Sequence, residues 1–190
     1  MAAWSGKRLE FSVHAGLQGL LVGPVALDMP IGLPDRPGRL CDTLARRLLG
    51  PRRASVFSPP VRSVLEAGLF QGVSLQCYNL FPKLREVDAL MTPALQDSVR
   101  ETHPELAFAR LNGGVPLAFP KRVAEGRAER LQLLRRVLGR RWEPPRLRGA
   151  ASDDLLDAAV LALVARDFSR RLPAEEPECD ARGLRMEIWF

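Results

Sequence analysis

The acidic residues of this chain are the ones whose positions point to chemistry. The segment Asp153-Asp154-Leu155-Leu156-Asp157-Ala158 runs on into an unbroken apolar stretch, so from Leu155 to Val164 the only polar residue is Asp157. A helix that is apolar on every other side is a buried one. Asp153 and Asp154 suit a helix N-terminus, where the dipole favours carboxylates. Asp157 lies a full turn further in, and shares a face with Asp154 through their i, i+3 spacing. Two carboxylates crowded at a desolvated helix end repel, and one tends to take up a proton. A hard divalent cation such as Mg²⁺ relieves that repulsion, and a structural ion pair is the other way to keep buried carboxylates.

Two further acids belong with these. Asp28 ends the apolar run Val25-Ala26-Leu27, just before Met29-Pro30-Ile31-Gly32. The carboxyl ends of strands are where open α/β sheets hold ligands, although an aspartate in a turn also serves simply to accept backbone N–H groups. Glu101 follows Val99 on one strand face and has no such turn role. Of its neighbours, His103 reads as a turn or cap residue, and Glu105 as a dipole-favoured residue of a first helical turn. Lys121 and the arginines 127, 130, 135, 136, 140 and 141 offer positive charge to phosphates. Their spacing spreads them around a helix diluted by Glu125 and Glu129, which predicts a solvated face. Trp142 alone is too little for a stacking platform.

The elements that must position these residues follow from pattern. Ala2–Trp4 and the alternating Arg8–Val13 read as strands joined by a turn at Ser5-Gly6-Lys7. A brief helix is expected at Leu17–Leu21, and a strand at Val25–Asp28 stopped by Pro30. Helices are expected at Cys41–Leu49, closed by Gly50, and at Pro60–Leu69. Val73–Met91 follows as a helix that Pro82 kinks or divides. Ser98–Thr102 is a strand, and Pro104 opens a helix over Glu105–Leu111. Lys121–Leu138 is amphipathic with Leu131, Leu134 and Leu138 on one face, and Ser152 caps Asp153–Arg170. Leu184–Phe190 closes the chain as a strand. Strands interleaved with helices make an α/β plan.

Composition narrows the function classes. The 190 residues are 46% hydrophobic and 26% charged, with a net charge of +6. That suits one globular domain over residues 1–190 with electrostatic tolerance for polyanions. Cys41, Cys77 and Cys179 are odd in number and lack CxxC spacing; with only His14 and His103 beside them, neither a disulfide framework nor a zinc site is expected. No apolar run approaches the roughly 18–20 residues of a membrane span. The polar Ser5-Gly6-Lys7-Arg8 near the start is unlike a signal peptide, so a cytoplasmic location is expected.

Several collinear motifs resemble one family. They are Ala26-Leu27-Asp28-Met29-Pro30-Ile31-Gly32-Leu33-Pro34, Arg39-Leu40-Cys41-Asp42, Ala54-Ser55-Val56-Phe57-Ser58-Pro59-Pro60-Val61-Arg62, Glu101-Thr102-His103-Pro104-Glu105-Leu106-Ala107-Phe108 and Asp153-Asp154-Leu155-Leu156-Asp157-Ala158. From about Leu9 onward the chain resembles the domain-of-unknown-function family 429, predicted ribonuclease H-like nucleases. The resemblance implies a ribonuclease H-like mixed sheet with flanking helices. It implies a Mg²⁺ or Mn²⁺ site built from Asp28, Glu101, Asp154 and Asp157, with Lys121 or Arg62 neutralising the scissile phosphate of a DNA or RNA substrate. The last helix also resembles that of Holliday-junction resolvases. Members of the family begin with a strand carrying Val-Asp-Gly, and no aspartate precedes Asp28 here. The expectation is therefore a missing or shortened central strand, from a misplaced start codon. The alternative is a catalytically silent module that grips polyanions. A phosphotransferase reading has only Gly113-Gly114 in its favour.

Overall fold

The computed structural model describes residues 1–70 and 72–190. Its architecture is mixed α/β, with seven α-helices and six short strands among the described residues. Strands β1 (Ala2–Ser5) and β2 (Arg8–Phe11) pair antiparallel, Ser5 opposite Arg8. Gly6 takes φ 59° at the first loop position, the conformation that a two-residue hairpin loop demands there. Strand β3 (Val25–Leu27) runs parallel to β4 (Val99–Glu101), Leu27 opposite Glu101. Thr102 continues β4 by a single parallel bridge to Trp189 in β6 (Ile188–Trp189), which pairs antiparallel with β5 (Arg171–Leu172).

The helices are α1 (Leu40–Leu49), α2 (Arg62–Ala67), α3 (Leu75–Asn79), α4 (Phe81–Leu90), α5 (Pro104–Leu111), α6 (Ala124–Leu138) and α7 (Ser152–Arg166). A 3₁₀ segment over Gly50–Ser55 follows α1. Pro82 divides the expected Val73–Met91 helix: it sits in the first turn of α4, where its missing N–H is harmless. Helix α7 packs against β1, β3, α5 and α6, and Leu156, Ala159 and Val160 are fully buried there. Trp4 Nε1 ties the hairpin to α7 by donating to the Ala162 carbonyl at 2.8 Å.

Several boundaries differ from expectation, each for a local reason. Leu17–Leu21 is a turn rather than a helix, because Gly19 takes φ 77°, outside the right-handed helical region. Helix α6 begins at Ala124 rather than Lys121: the Val123 N–H turns back to the Pro120 carbonyl at 3.2 Å, and the loop lies so close to the helix that only a glycine fits at 126. Helix α7 stops at Arg166 rather than Arg170, where Phe168 turns aside to pack edge-on against Trp189, centroids 6.0 Å apart. Ser152 does not cap it; the N-cap is Ala151, whose N–H donates to Asp154 Oδ2 at 3.3 Å. The terminal strand shrinks to Ile188–Trp189 because Gln96 substitutes for a neighbouring strand, accepting from the Arg185 N–H at 2.8 Å and donating to its carbonyl at 2.7 Å.

The centre of the fold is an arginine. Arg39, 2% exposed, donates to both oxygens of Glu101 (2.6 and 2.8 Å) and both of Asp42 (2.6 and 3.1 Å). The Ile31 N–H completes Glu101 at 2.7 Å. One guanidinium thus joins the end of β4, the start of α1 and the loop after Asp28. That loop passes beneath the C-terminal segment at Gly32, φ 81°, where a Cβ would lie 2.9 Å from Met186 Cγ. Removing one partner of a buried ion pair strands the others in a low dielectric. Arg39→Met is therefore expected to lose about 3–5 kcal/mol of unfolding free energy, read as a lowered urea midpoint; an unchanged midpoint would refute this role.

Candidate functional site

A cavity of about 570 Å³ opens beyond the carboxyl ends of β3 and β4. Its wall draws together Asp28 from the end of β3, Glu101 and His103 from the end of β4, Glu105 from α5, Lys121 from the loop before α6, and Asp157 from α7. Four of the five expected site residues thus meet in one place. Asp154 does not line it: this side chain is exposed and accepts the Ala151 N–H at the start of α7.

The four do not share one role. Both oxygens of Glu101 are engaged by Arg39 and Ile31. Burial pushes its carboxyl up to about 7 against the pull of Arg39. Since every group bonded to it is an N–H donor, the carboxylate is the form this geometry serves. Glu101 is an anchor whose charge is already balanced by Arg39.

Asp28 and Asp157 have fewer partners. Asp28 is exposed at the cavity and has no hydrogen-bond partner among the described residues. Burial pushes its carboxyl above the usual range, opposed by the charges of His103 and Lys121 and reinforced by Asp154. Asp157 is pushed up to about 6, first by burial, and Asp28 adds repulsion. Lys121 Nζ donates to Asp157 Oδ2 at 2.7 Å and lies 3.9 Å from Asp153 Oδ2. Burial would lower the ammonium, but the bond and charge of Asp157 hold it above its usual value.

The basic residues sort differently from expectation. Arg130, read as part of a solvated face, is fully buried: it pairs with Glu105 and donates to the Gly126 carbonyl at 2.7 Å. It also donates to the Phe119 carbonyl at 3.3 Å and so fixes the loop that carries Lys121. Arg62 lies outside the cavity wall, bound to Asp88 at 2.8 Å and to Asp180 at 2.5 Å. Arg52, Lys83 and Arg122 supply positive charge to the cavity instead. They lie on different elements and share no pattern in the sequence, so no periodicity exposes them.

Among the described residues no three His, Cys, Asp or Glu side chains converge as a ready-made metal cage. Magnesium asks for less, since one or two carboxylates with water and substrate phosphate suffice. Asp28 and Asp157 meet that smaller demand by chemistry: hard oxygen donors, mutually repelling, with a single lysine cation in contact with Asp157. Glu101 fits less well, because three N–H groups already occupy its oxygens and Arg39 already balances its charge.

The family described as "Protein of unknown function (DUF429)" matches residues 1–178. No curated protein and no solved structure matches the chain. No helix among the described residues is long and apolar enough to cross a membrane.

The Asp157 shift has a stability consequence with a definite sign. The folded protein holds this proton up to about 6, the unfolded chain only to about 3.8, so stability falls as pH rises through that window. Ionised Asp157 thus costs at most about 3 kcal/mol, less what Lys121 loses when its partner goes. Asp157→Asn is expected to be more stable than the parent at pH 8, by about 1–2 kcal/mol, with the difference closing as pH falls to 4. Thermal melts across that range check it; a variant less stable at pH 8 contradicts the burial of this charge.

Proposed function

This chain belongs to the DUF429 family, and from that premise we propose that it is a divalent-metal-dependent nuclease of ribonuclease H-like design, hydrolysing phosphodiester bonds in its cavity. One observation carries the reading: two carboxylates, Asp28 exposed to the cavity and Asp157 buried, come from separate elements to a wall that also bears Lys83, Lys121, Arg122 and Arg52. Carboxylates beside cationic side chains suit a substrate that is itself a polyanion and brings its own need for a metal.

Asp28 and Asp157 would hold the ion, and a bound Mg²⁺ or Mn²⁺ would supply water activation and charge stabilisation at the scissile phosphate. The protein's own part is positioning. Lys121 is held beside Asp157 by the Arg130–Glu105 pair behind its loop, and its ammonium is left to face a phosphate oxygen once the carboxylate turns to a cation. Lys83 and Arg122, both exposed at the cavity, draw the polyanion in. The volume of about 570 Å³ suits one nucleotide rather than a duplex.

A second reading is a noncatalytic polyanion-binding module. The Lys121–Asp157 contact at 2.7 Å favours it, because that carboxylate is already neutralised without a metal. Binding that survives EDTA, weakens steeply with salt and leads to no cleavage would select this reading.

Labelled single-stranded and duplex DNA and RNA, incubated with the protein and Mg²⁺ or Mn²⁺, provide the test. Cleavage is expected to depend on the ion. It should fall in both Asp28→Asn and Asp157→Asn by more than the roughly 10–100-fold that losing a ligand's supporting bond costs. Glu101→Gln, in contrast, should act mainly through stability. Cleavage unaffected by EDTA, or by both aspartate substitutions, defeats the proposal.

A further inference from the structure

A second cavity, of about 360 Å³, opens at the first turns of α6 and α7. Its wall carries three cationic side chains, Lys121, Arg122 and Arg127, against one carboxylate, Asp153. Lys121 and Arg122 line the main cavity too, so the two spaces adjoin through that pair. Arg127 and Asp153 belong to the second cavity alone.

Local structure gathers these charges. The Val123 N–H bonds back to the Pro120 carbonyl at 3.2 Å, which sets Lys121 and Arg122 at the two central positions of a turn. Helix α6 begins directly after it at Ala124, and Arg127 shares the face of Ala124 by i, i+3 spacing. The acids nearby are already matched: Lys121 Nζ lies 2.7 Å from Asp157 Oδ2 and 3.9 Å from Asp153 Oδ2. On the same helix, Arg130 and Arg135 are each paired with a glutamate. Arg122 and Arg127, in contrast, are exposed and enter no salt bridge among the described residues. Two guanidiniums are thus left unspent at one concave surface, and a guanidinium fork suits the oxygens of a phosphate. Neither α6 nor α7 is closed by its N-cap side chain, since Val123 and Ala151 have no oxygen to offer. The positive ends of both dipoles therefore reinforce the arginines, and Asp153 offsets only part of that field.

We propose that the second cavity is a phosphate-binding subsite, which takes the phosphodiester next to the one held in the main cavity. A nucleic-acid strand carries one charge per nucleotide, and grooves that track it do so with a succession of cations. The main cavity suits one nucleotide, so the rest of a strand must leave it. Arg122, common to both walls, and Arg127, in the second alone, mark a positively charged way out. This subsite presupposes the nucleic-acid reading of the main cavity, though not cleavage, and deepens it by giving a single strand its path.

A fluorescent thymidine decamer, titrated with the full chain in EDTA and followed by anisotropy, tests it. Arg127→Gln is expected to weaken binding about tenfold and to flatten the slope of log affinity against log salt by about 0.7. Arg136→Gln removes the same charge from an exposed position of α6 outside both cavities, and should cost less than about twofold. Thymidine 5′-monophosphate, whose one phosphate the main cavity serves, should compete equally well in Arg127→Gln and in the parent. Since Arg127 is exposed and unpaired, the urea midpoint should not move with the affinity. No decamer binding by the parent, equal losses in the two variants, or as large a loss for the monophosphate as for the decamer overturns the subsite. Decamer affinity that depends on Arg127 in a protein that never cleaves upholds the subsite and refutes hydrolysis. Metal-dependent cleavage by a protein whose Arg127→Gln form binds like the parent does the reverse.

Discussion

The buried guanidinium of Arg39 is the constraint on which this structure turns. Two carboxylates share it, one on each side of the planar fork, and no lysine could serve both in that geometry. A buried ion pair of this kind adds little net stability over an apolar substitute, but it penalises every arrangement that separates its members. Here the penalised arrangements are those that move the loop after β3, and with it Asp28, away from the end of β4. Arg130 and Glu105 repeat the device on the other side of the cavity, fixing the loop that carries Lys121. The cavity is framed by two internal salt links and fitted with the charges that those links do not consume.

That division separates the carboxylates by how completely they are satisfied. Asp180 is the extreme case: burial would raise it, but the N–H groups of Leu33, Leu184 and Arg182, with Arg62, together hold it below the usual range. Glu101 likewise accepts three N–H groups. Asp28 and Asp157 have no comparable set, and both are pushed upward. A protein retains a buried carboxylate like that of Asp157 at a cost in stability, and sites that bind or react are where such costs are tolerated. The chemistry proposed for the cavity follows from this contrast between anchored and unanchored acids.

The sequence made the unanchored acids visible and hid the anchors. Asp157 stands out because it interrupts an otherwise apolar helix, and Asp28 because it ends an apolar strand; both signals are local, and both residues reach the cavity. Glu101 was equally visible as an acid on a buried strand, yet its partner Arg39 lies 62 positions away in a Pro/Gly loop with no pattern to mark it. Arg130 looked like one of many surface arginines, since spacing alone does not say which arginine meets a distant buried Glu105. Element types were largely legible, because hydrophobic period and proline placement are local properties. Boundaries failed where one residue redirected the backbone, as left-handed Gly19 does after Leu17, or where a side chain took over a backbone partner, as Gln96 does at Arg185.

Manganese titrated into the protein and followed by electron paramagnetic resonance tests the central claim most directly, because it reads the ion itself with no substrate present. One bound Mn²⁺ per chain is predicted at neutral pH, displaced by Mg²⁺ and lost when either Asp28 or Asp157 becomes asparagine. Manganese that stays free in the parent protein, or binds as well without those two carboxylates, would contradict the account.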